Sequence, residues 1–321
     1  MAFAFYDFLI HPVIAACFLA WLIAQLCKAI IAFLRDKKWS PAHLVADGGM
    51  PSSHVALVSA LTTSILLLWG VGAAFIISLV FSLIVVRDAL GVRRAVGNHA
   101  KLLELRYKRV LGLNEGHDIA EVIAGALVGI FVSSIAITNN LTLLYLLQVS
   151  YIMLPGILAT MVPVIIGAYM KSMGIPLDLN LKIGATRVFG DNKTVFGFIA
   201  GVLTAIVVTD IQGRLVEIMP FSILTTIPYF RYNPLIVGLV IGIGVMGGDA
   251  IKSFIKRRLG ISPGVSFFPW DQLDGAIGAL ILGFLFYNIG IMLIVSVLFL
   301  AIVYHLVISS LGIFFGIKKS L

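Results

Sequence analysis

Apolar residues form long, nearly uninterrupted runs along this chain, and short polar segments separate them. Most runs approach the roughly 20 residues that a helix needs to cross a lipid bilayer. Two pairs of runs are joined by turns of only a few residues, at 69–72 and 138–140. The pattern predicts an all-α polytopic membrane protein with about nine transmembrane helices, at 9–34, 52–70, 72–88, 118–138, 141–170, 194–211, 233–254, 272–288 and 290–316.

The composition agrees, because 60% of the 321 residues are hydrophobic and only 12% are charged, against about 25% in soluble domains. The net charge of +8 does not indicate nucleic acid binding, because 20 of the 23 lysines and arginines lie in five polar segments, at 35–50, 87–117, 171–193, 252–271 and in the C-terminal tail. With nine spans these segments share one side of the membrane, which the positive-inside rule makes cytoplasmic. We therefore expect a multi-pass protein of the cell membrane with its N-terminus outside, its C-terminus cytoplasmic and its active sites on the cytoplasmic side.

The polar motifs fall into two groups separated by the uncharged turn after Thr138. One group lies within residues 1–135 and the other within 150–280. No internal repeat or low-complexity linker is visible. The sequence therefore predicts two membrane domains, at 1–138 and 139–321, joined through a short turn.

The first motif of the second group is "GGDAIKSFIKRR", at the cytoplasmic end of a predicted span. On a helix Asp249, Ser253 and Lys256 share one face. The chain returns to the same boundary with Asp271 and Asp274. Carboxylates gathered with bases suit a Mg²⁺ ion that grips substrate phosphates. A structural network of ion pairs explains the spacing equally well, and spacing alone does not decide between the two.

A second stretch, "GATRVFGDNKTVFGFIAG" at 184–201, is a glycine-rich charged loop that leads into a span. Lys193 is a mobile cation in this loop, and Thr194 opens the helix. Backbone N–H groups at such a helix start favour an anion. The spacing of a Walker A loop is absent, so the loop by itself is a weak nucleotide motif.

Together these two stretches resemble the CDP-archaeol synthase family over residues about 150–290. The resemblance implies a Mg²⁺-dependent cytidylyltransferase that joins CTP to the phosphate of an isoprenoid glycerol-ether lipid and releases pyrophosphate. It implies Asp249 and Asp274 as metal ligands with Asp271 as a third, and Thr160 stands where that family usually has asparagine. It further implies a set of residues that hold or orient phosphates: Lys193, Lys256, Arg257, Ser253 and Arg187.

The N-terminal group contains "GGMPSSH" before the second span and "EGHDIAEV" at the start of the fourth. His54 and His117 both lie at predicted cytoplasmic ends, and Glu121 faces His117 one helical turn later. Lys28 and Arg35 lie two turns apart on one helix face. The arrangement is that of a phosphate cradle with a histidine nucleophile and a histidine acid, although a lone histidine at a helix start is more often structural.

Residues about 15–135 resemble the divergent phosphatidic-acid-phosphatase type 2 family, whose broader pattern is K-x6-R-P, P-S-G-H and S-R-x5-H-x3-D. The resemblance implies His117 as nucleophile and His54 as general acid, with Glu121, Lys28, Arg35 and Arg93 around the phosphate. This chain departs from the pattern with Asp36 for proline, Ser53 for glycine and Glu121 for aspartate. Arg87 and Arg94 are the other arginines that could complete the phosphate site.

Three other functions remain open from the residues alone. The lipid could be a diacyl phosphatidic acid, as in the related CDP-diacylglycerol synthases. Intramembrane Asp249, Lys28 and His54 could mark a transporter, but the polar residues gather at one membrane face and show no repeat. A non-catalytic scaffold is the third option.

The oligomeric state stays open, and a homodimer is one option.

Overall fold

A computed structural model describes residues 2–36, 49–97, 99, 116–169, 175–183, 186–190, 193–261, 267, 269–284 and 289–314. The described residues are mostly helical. The helices are α1 (Ala2–Ile10), α2 (Pro12–Asp36), α3 (Ser53–Trp69), α4 (Ala73–Leu90), α5 (Ile119–Thr138), α6 (Leu143–Tyr169), α7 (Val195–Leu215), α8 (Phe221–Leu224), α9 (Pro234–Arg258), α10 (Trp270–Gly283) and α11 (Ile291–Phe314). Strands β1 (Lys182–Ile183) and β2 (Thr186–Arg187) form an antiparallel pair between α6 and α7.

Every predicted span corresponds to a helix in nearly the same place. The first begins at Pro12, after a separate short helix α1, because the residue before a proline disfavours helical backbone angles. Seven helices within the described residues are long and apolar enough to cross a membrane, whereas α3 has 17 residues and α10 has 14. The structure thus supports a polytopic helical membrane protein, and the count of nine spans and the orientation stay predictions.

The chain divides into two compact units, Met1–Tyr145 with Ser309–Leu321, and Leu146–Ile308. In the first unit α3 and α5 are in backbone contact. A Cβ atom added at Gly125 would lie 2.5 Å from the carbonyl oxygen of Ser52, and one at Gly129 would lie 2.3 Å from that of Ala56. Small residues allow this approach between membrane helices. The contact brings the Ser52–Ser53 pair beside the first turn of α5.

In the second unit α6 contains two prolines, Pro155 and Pro163. A proline cannot donate to the carbonyl four residues earlier, so the carbonyl of Tyr151 needs another donor. The Nε2 atom of Gln212 on α7 supplies it at 2.7 Å. Beside this bond α6, α7 and α9 share a buried core of Ala159, Ala205 and Val245. The proline-containing part of α6 is thereby fixed against its neighbour.

Helix α9 is the centre of the second unit, because two sets of glycines let it touch a helix on each side. Gly238 and Gly242 pack against the backbone of α7, where an added Cβ atom would lie 2.6 Å from the Cα of Ile206 and 2.9 Å from that of Val202. Glycines further along α9 meet α10. The C-terminal turns of α9, which carry the charged motif, are therefore held at a defined place.

Candidate active site

The carboxylates of α9 and α10 meet because the two helix backbones are in direct contact. A Cβ atom at Gly248 would lie 2.2 Å from the carbonyl oxygen of Asp274, and one at Gly278 would lie 2.0 Å from that of Gly244. Only glycine allows so close a crossing. Asp249 follows Gly248 directly, so the crossing places the carboxylates of Asp249 and Asp274 at one point.

A single ammonium group lies at that point. The Nζ atom of Lys252 is 2.7 Å from Asp274 Oδ2, 3.1 Å from Asp249 Oδ1 and 3.2 Å from Asp271 Oδ1. All four side chains are largely buried, with exposed fractions between 14% and 20%. Three acidic side chains from two helices therefore surround one cation.

Two further lysines complete what we call the carboxylate–lysine cluster, which consists of Asp249, Asp271, Asp274, Lys193, Lys252 and Lys256. Lys193, in the loop before α7, forms an ion pair with Asp249. Lys256 Nζ lies 3.2 Å from both carboxylate oxygens of Asp271. With carboxylates and lysines both ionised, the cluster has no net charge.

The sequence predicted five of these six residues and that they converge, but it missed Lys252. Its position three residues after Asp249 puts both side chains on one helix face, a signal that could have identified it. In the sequence this lysine is one of many bases on the predicted cytoplasmic side. The structure shows that it contacts all three acids.

Two other predicted phosphate ligands have partners within the protein. The buried hydroxyl of Ser253 donates to the carbonyl of Asp249 at 2.9 Å, a bond within its own helix. Arg257 donates through Nη1 to the carbonyl of Ile261. Its Nε atom is buried beside Gly190 and has no hydrogen-bond partner among the described residues. The Ser253 hydroxyl is therefore already engaged as a donor, whereas the Nε donor of Arg257 is not.

Arg187 belongs to the loop that precedes Lys193, where it pairs with the buried Asp178. Burial alone would raise the pKa of Asp178, but the Arg187 guanidinium and the backbone N–H groups of Phe189, Gly190 and Asn180 outweigh it and lower that pKa to about 2. The ionised carboxylate thus organises the loop. The guanidinium predicted to bind substrate forms an internal ion pair.

The residues fit a magnesium ion by donor chemistry. Mg²⁺ prefers carboxylate oxygens, and Asp249, Asp271 and Asp274 offer theirs to a common point. In the part of the chain that the structure describes, no three acidic, histidine or cysteine side chains form a metal-ligand set as they stand. The acids surround the Lys252 ammonium instead, so a metal ion would compete with that group for them.

The N-terminal unit brings part of its predicted group together. His117 Nδ1 lies 2.8 Å from Glu121 Oε2, and the His117 side chain is 9% exposed. Lys28 is buried and donates to the hydroxyl of Ser53 at 3.1 Å. The backbone N–H of Ser52 donates to the carbonyl of Glu121 at 3.0 Å. The lysine, the two serines and the histidine–glutamate pair are thus linked through α2, α3 and α5.

Other predicted members of this group are exposed, pair with nearby acids, or lie outside the described side chains. His54 is exposed on α3. Arg93 pairs with Asp88 at 2.6 Å, and Arg94 pairs with Asp118 at 3.0 Å. The side chain of Arg35 lies outside the described part. The identity of the arginine that would complete a phosphate site stays open.

Comparison with known proteins matches two regions of the chain. Residues 140–320, more than half of the chain, match the family of CDP-archaeol synthase, and residues 9–132 match the divergent PAP2 family. The CDP-archaeol synthase of Methanospirillum hungatei is 34% identical over 153 residues, which are 46% of this chain and 89% of that protein. The CDP-archaeol synthase of Methanocaldococcus jannaschii is 34% identical over 148 residues, 45% of this chain and 82% of that protein.

A solved structure of an intramembrane enzyme for archaeal membrane lipid biosynthesis is also similar, with 26% identity and a TM-score of 0.39, over 50% of this chain and 90% of that one. The family match covers the region that carries the whole carboxylate–lysine cluster. The chain therefore belongs to the CDP-archaeol synthase family, and it is a membrane-embedded cytidylyltransferase.

Proposed function

We propose that the second unit transfers a cytidylyl group from CTP to the phosphate of an isoprenoid glycerol-ether lipid. A phosphate oxygen of the lipid attacks the α-phosphorus of CTP. The bond from that phosphorus to the oxygen bridging the α and β positions breaks, and pyrophosphate leaves with that electron pair. The products are a CDP-activated lipid and pyrophosphate. The observation that carries the proposal is the convergence of three carboxylates and three lysines at one glycine-lined helix crossing, in a chain of this family.

The charges of the cluster favour a substrate that arrives with a metal ion. The cluster has no net charge, and CTP carries several negative charges near neutral pH. Transfer at phosphorus depends mainly on positioning and charge neutralisation. The carboxylates that now hold Lys252 would hold a bound Mg²⁺, and the lysines would then be available to phosphate oxygens. The neutral ion-pair cluster would in that case be the resting arrangement of the site.

Each group then has a role that follows from its chemistry. Asp249, Asp271 and Asp274 would hold Mg²⁺, which supplies positive charge to the polyphosphate when bound. Lys193, Lys252 and Lys256 would neutralise phosphate oxygens, including those of the departing pyrophosphate. The buried Nε donor of Arg257 would bind one more oxygen.

The position of the cluster suits both substrates. It lies at the last turns of α9 and the first turns of α10, at the end of apolar segments. CTP is water-soluble and the lipid phosphate is held in the bilayer, so a site at the membrane boundary lets them meet. The positive-inside pattern makes this the cytoplasmic side.

The experiment uses the purified full chain in liposomes with Mg²⁺ and CTP. It compares an isoprenoid ether lipid phosphate with a diacyl phosphatidic acid, and measures CDP-lipid by mass spectrometry together with released pyrophosphate. We expect CDP-lipid and pyrophosphate in equal amounts, and more of both products from the ether lipid than from the diacyl lipid. After chelation of Mg²⁺ we expect neither product. Preference for the diacyl lipid would make the enzyme a CDP-diacylglycerol synthase. Absence of product from either lipid would contradict the proposal.

The bond between His117 and Glu121 favours a second activity, hydrolysis of a phosphate ester by the first unit. Glu121 orients the imidazole through Nδ1, which leaves Nε2 to attack phosphorus. The attack breaks the bond between phosphorus and the ester oxygen, and the alkoxide leaves with that electron pair and takes a proton from water. A further water molecule then hydrolyses the phosphohistidine and releases phosphate. Lys28, buried within the same group, would neutralise the phosphate.

This second activity is tested with His117→Ala and, as a matched control, with the exposed His99→Ala. We expect His117→Ala to abolish phosphate release from lipid phosphates and to leave cytidylyl transfer unchanged, and His99→Ala to change neither reaction. If the wild-type protein releases no phosphate from any lipid phosphate, the phosphatase hypothesis is wrong. If His117→Ala lowers cytidylyl transfer in a folded protein, the two sites are not independent.

A further inference from the structure

An arginine outside the cluster holds the small hairpin that precedes Lys193. Arg258 donates through Nη1 to the carbonyl of Ile183 at 2.9 Å and through Nη2 to the carbonyl of Arg187 at 2.8 Å. The carbonyl of Thr186 lies 3.4 Å from the same Nη2 atom. One guanidinium thus bridges strands β1 and β2, which are more than 70 residues away in the sequence.

The guanidinium is held from its own helix as well. The Cζ atom of Arg258 lies 5.3 Å from the centre of the Phe254 ring, one turn earlier on α9. A guanidinium over an aromatic face gains a favourable cation–π interaction. Arg258 is the last residue of α9, the helix that also carries Asp249, Lys252 and Lys256. One rigid helix therefore bears both the reactive groups and the contact to the hairpin.

The segment from the hairpin to Lys193 is short and cross-linked. Asp178 accepts hydrogen bonds from the backbone N–H groups of Phe189 and Gly190 at 3.1 and 3.3 Å. The N–H of Leu177 donates to the carbonyl of Lys193 at 2.8 Å. These bonds connect the residues that follow the hairpin, through Asp178 and Leu177, to the backbone of Lys193, whose ammonium group pairs with Asp249.

We infer that Arg258 is a positioning residue, which fixes the β1–β2 hairpin on the end of α9 and so sets Lys193 over the carboxylate of Asp249. The kinetic effect that we expect from this inference rests on the proposed cytidylyl transfer. The contact between Arg258 and the hairpin does not rest on it. The alternative role of Arg258 is that of an ordinary cytoplasmic anchor, in which only its charge matters.

The two roles predict different results when Arg258 is replaced by lysine. A guanidinium presents donors in a planar fork that reaches two carbonyls at once, whereas an ammonium is a point charge on a flexible stem. An anchor would tolerate Arg258→Lys, because the charge is kept. The hairpin contact would be lost in Arg258→Lys nearly as completely as in Arg258→Leu.

The first measurement is structural and independent of activity. Hydrogen exchange is compared in the full-length wild-type protein, Arg258→Lys and the control Arg214→Lys, which changes an arginine at the end of α7 that pairs with Asp210. We expect faster exchange in residues 175–190 of Arg258→Lys only, with unchanged protection of α7 and α9. Unchanged exchange in that segment would overturn the inference, whatever the enzyme does.

The second measurement is kinetic and asks whether Arg258 acts through Lys193. We expect Arg258→Lys to lower kcat at saturating CTP by at least about tenfold, since a shift of an ångström in a positioned group has effects of that order or larger. The double variant Arg258→Lys/Lys193→Met should be no slower than Lys193→Met alone. If the two substitutions lower kcat by independent factors that multiply in the double variant, the positioning role is contradicted. It is also contradicted if Arg258→Lys raises only the KM for CTP. Absence of transfer by the wild-type protein would contradict the proposed function, and the hydrogen-exchange result would still decide the hairpin contact.

Discussion

The Nζ atom of Lys252 on α9 lies 2.7 Å from a carboxylate oxygen of Asp274 on α10. This contact joins the two helices at the centre of the carboxylate–lysine cluster. The same ammonium also contacts Asp249 and Asp271, so all three acids converge on it. Its position is the one that a metal ion would have to take over for the proposed reaction.

Replacing this ammonium should make the protein depend on magnesium for stability. In Lys252→Met three largely buried carboxylates lose their common partner, and removal of one partner of a buried pair destabilises a protein by about 3 kcal/mol or more. We expect the midpoint of thermal unfolding in detergent to fall by roughly 5 °C or more without Mg²⁺. We also expect a larger rise on addition of Mg²⁺ than in the wild type, because the ion no longer competes with the lysine.

The matched control is Lys256→Met, which removes an ammonium that contacts Asp271 from the same helix face. It should lower the midpoint less and should respond to Mg²⁺ like the wild type. Equal Mg²⁺ responses in wild-type protein and Lys252→Met would show that the carboxylates do not bind a metal ion at this point.

The glycine crossing gives a prediction in which adjacent residues serve as test and control. In Gly248→Ala the new Cβ atom would lie 2.2 Å from the carbonyl oxygen of Asp274, whereas a Cβ atom added at Gly247 would meet nothing within 4 Å outside its own helix turn. Gly248→Ala must push α10 away and move Asp274 from Asp249. We expect it to lower cytidylyl transfer by at least about tenfold, and Gly247→Ala to leave it near the wild-type rate.

This comparison requires that both variants are purified as monodisperse protein from membranes. If Gly248→Ala does not accumulate, Gly278→Ala tests the same crossing from α10, since its Cβ would lie 2.0 Å from the carbonyl of Gly244. Wild-type transfer by any folded variant of Gly248 or Gly278 would show that the crossing does not need glycine.

The loop that carries Arg187 should loosen in acid. The pKa of Asp178 is lowered from 3.8 to about 2, so its ionised form contributes stability above pH 4 that is lost as the pH falls through about 2. The shift corresponds to about 2 kcal/mol. We expect pepsin to cleave the 175–190 loop little near pH 4 and readily near pH 2. In Asp178→Asn we expect rapid cleavage already near pH 4. An identical pH profile of cleavage in the wild-type protein and Asp178→Asn would contradict the assignment.

The orientation of α9 can be read from its two ends. This helix has 25 residues and a length of about 37 Å, enough to cross a bilayer. Phe230, before it, is 95% exposed, and Leu259, after it, is 60% exposed. In a background with Cys17→Ala and Cys27→Ala, Leu259→Cys should react with an impermeant maleimide only from the cytoplasmic side and Phe230→Cys only from outside. The reverse labelling would overturn the predicted topology.

The apolar runs predicted the helices to within a few residues, because in a membrane the length and hydrophobicity of a segment largely determine a span. The convergence of Asp249, Asp271 and Asp274 also followed from spacing, since two segments return to the same boundary. These are features that short-range pattern determines.

Contacts between distant parts of the chain were not predictable in this way. The bond from Arg258 to Ile183 spans 75 residues, and no periodicity relates a helix end to a loop. Arg93 was expected at a phosphate but pairs with Asp88 on the exposed surface, because motif spacing does not say which local acid an arginine meets. Lys252 was overlooked because a lysine near a cytoplasmic helix end has an ordinary explanation.

The central claim is that the carboxylate–lysine cluster transfers the α-phosphate of CTP to a lipid phosphate. It is tested most directly with CTP labelled at the α-phosphorus or at the γ-phosphorus, using wild-type protein, Asp249→Asn and a control, Asp210→Asn, whose carboxylate pairs with Arg214 within α7. In the wild type and the control, only the α-label should enter the lipid fraction and the γ-label should appear in pyrophosphate. Asp249→Asn should reduce both by at least about a hundredfold. Transfer of the γ-label to lipid, or near-wild-type transfer by Asp249→Asn, would contradict the account.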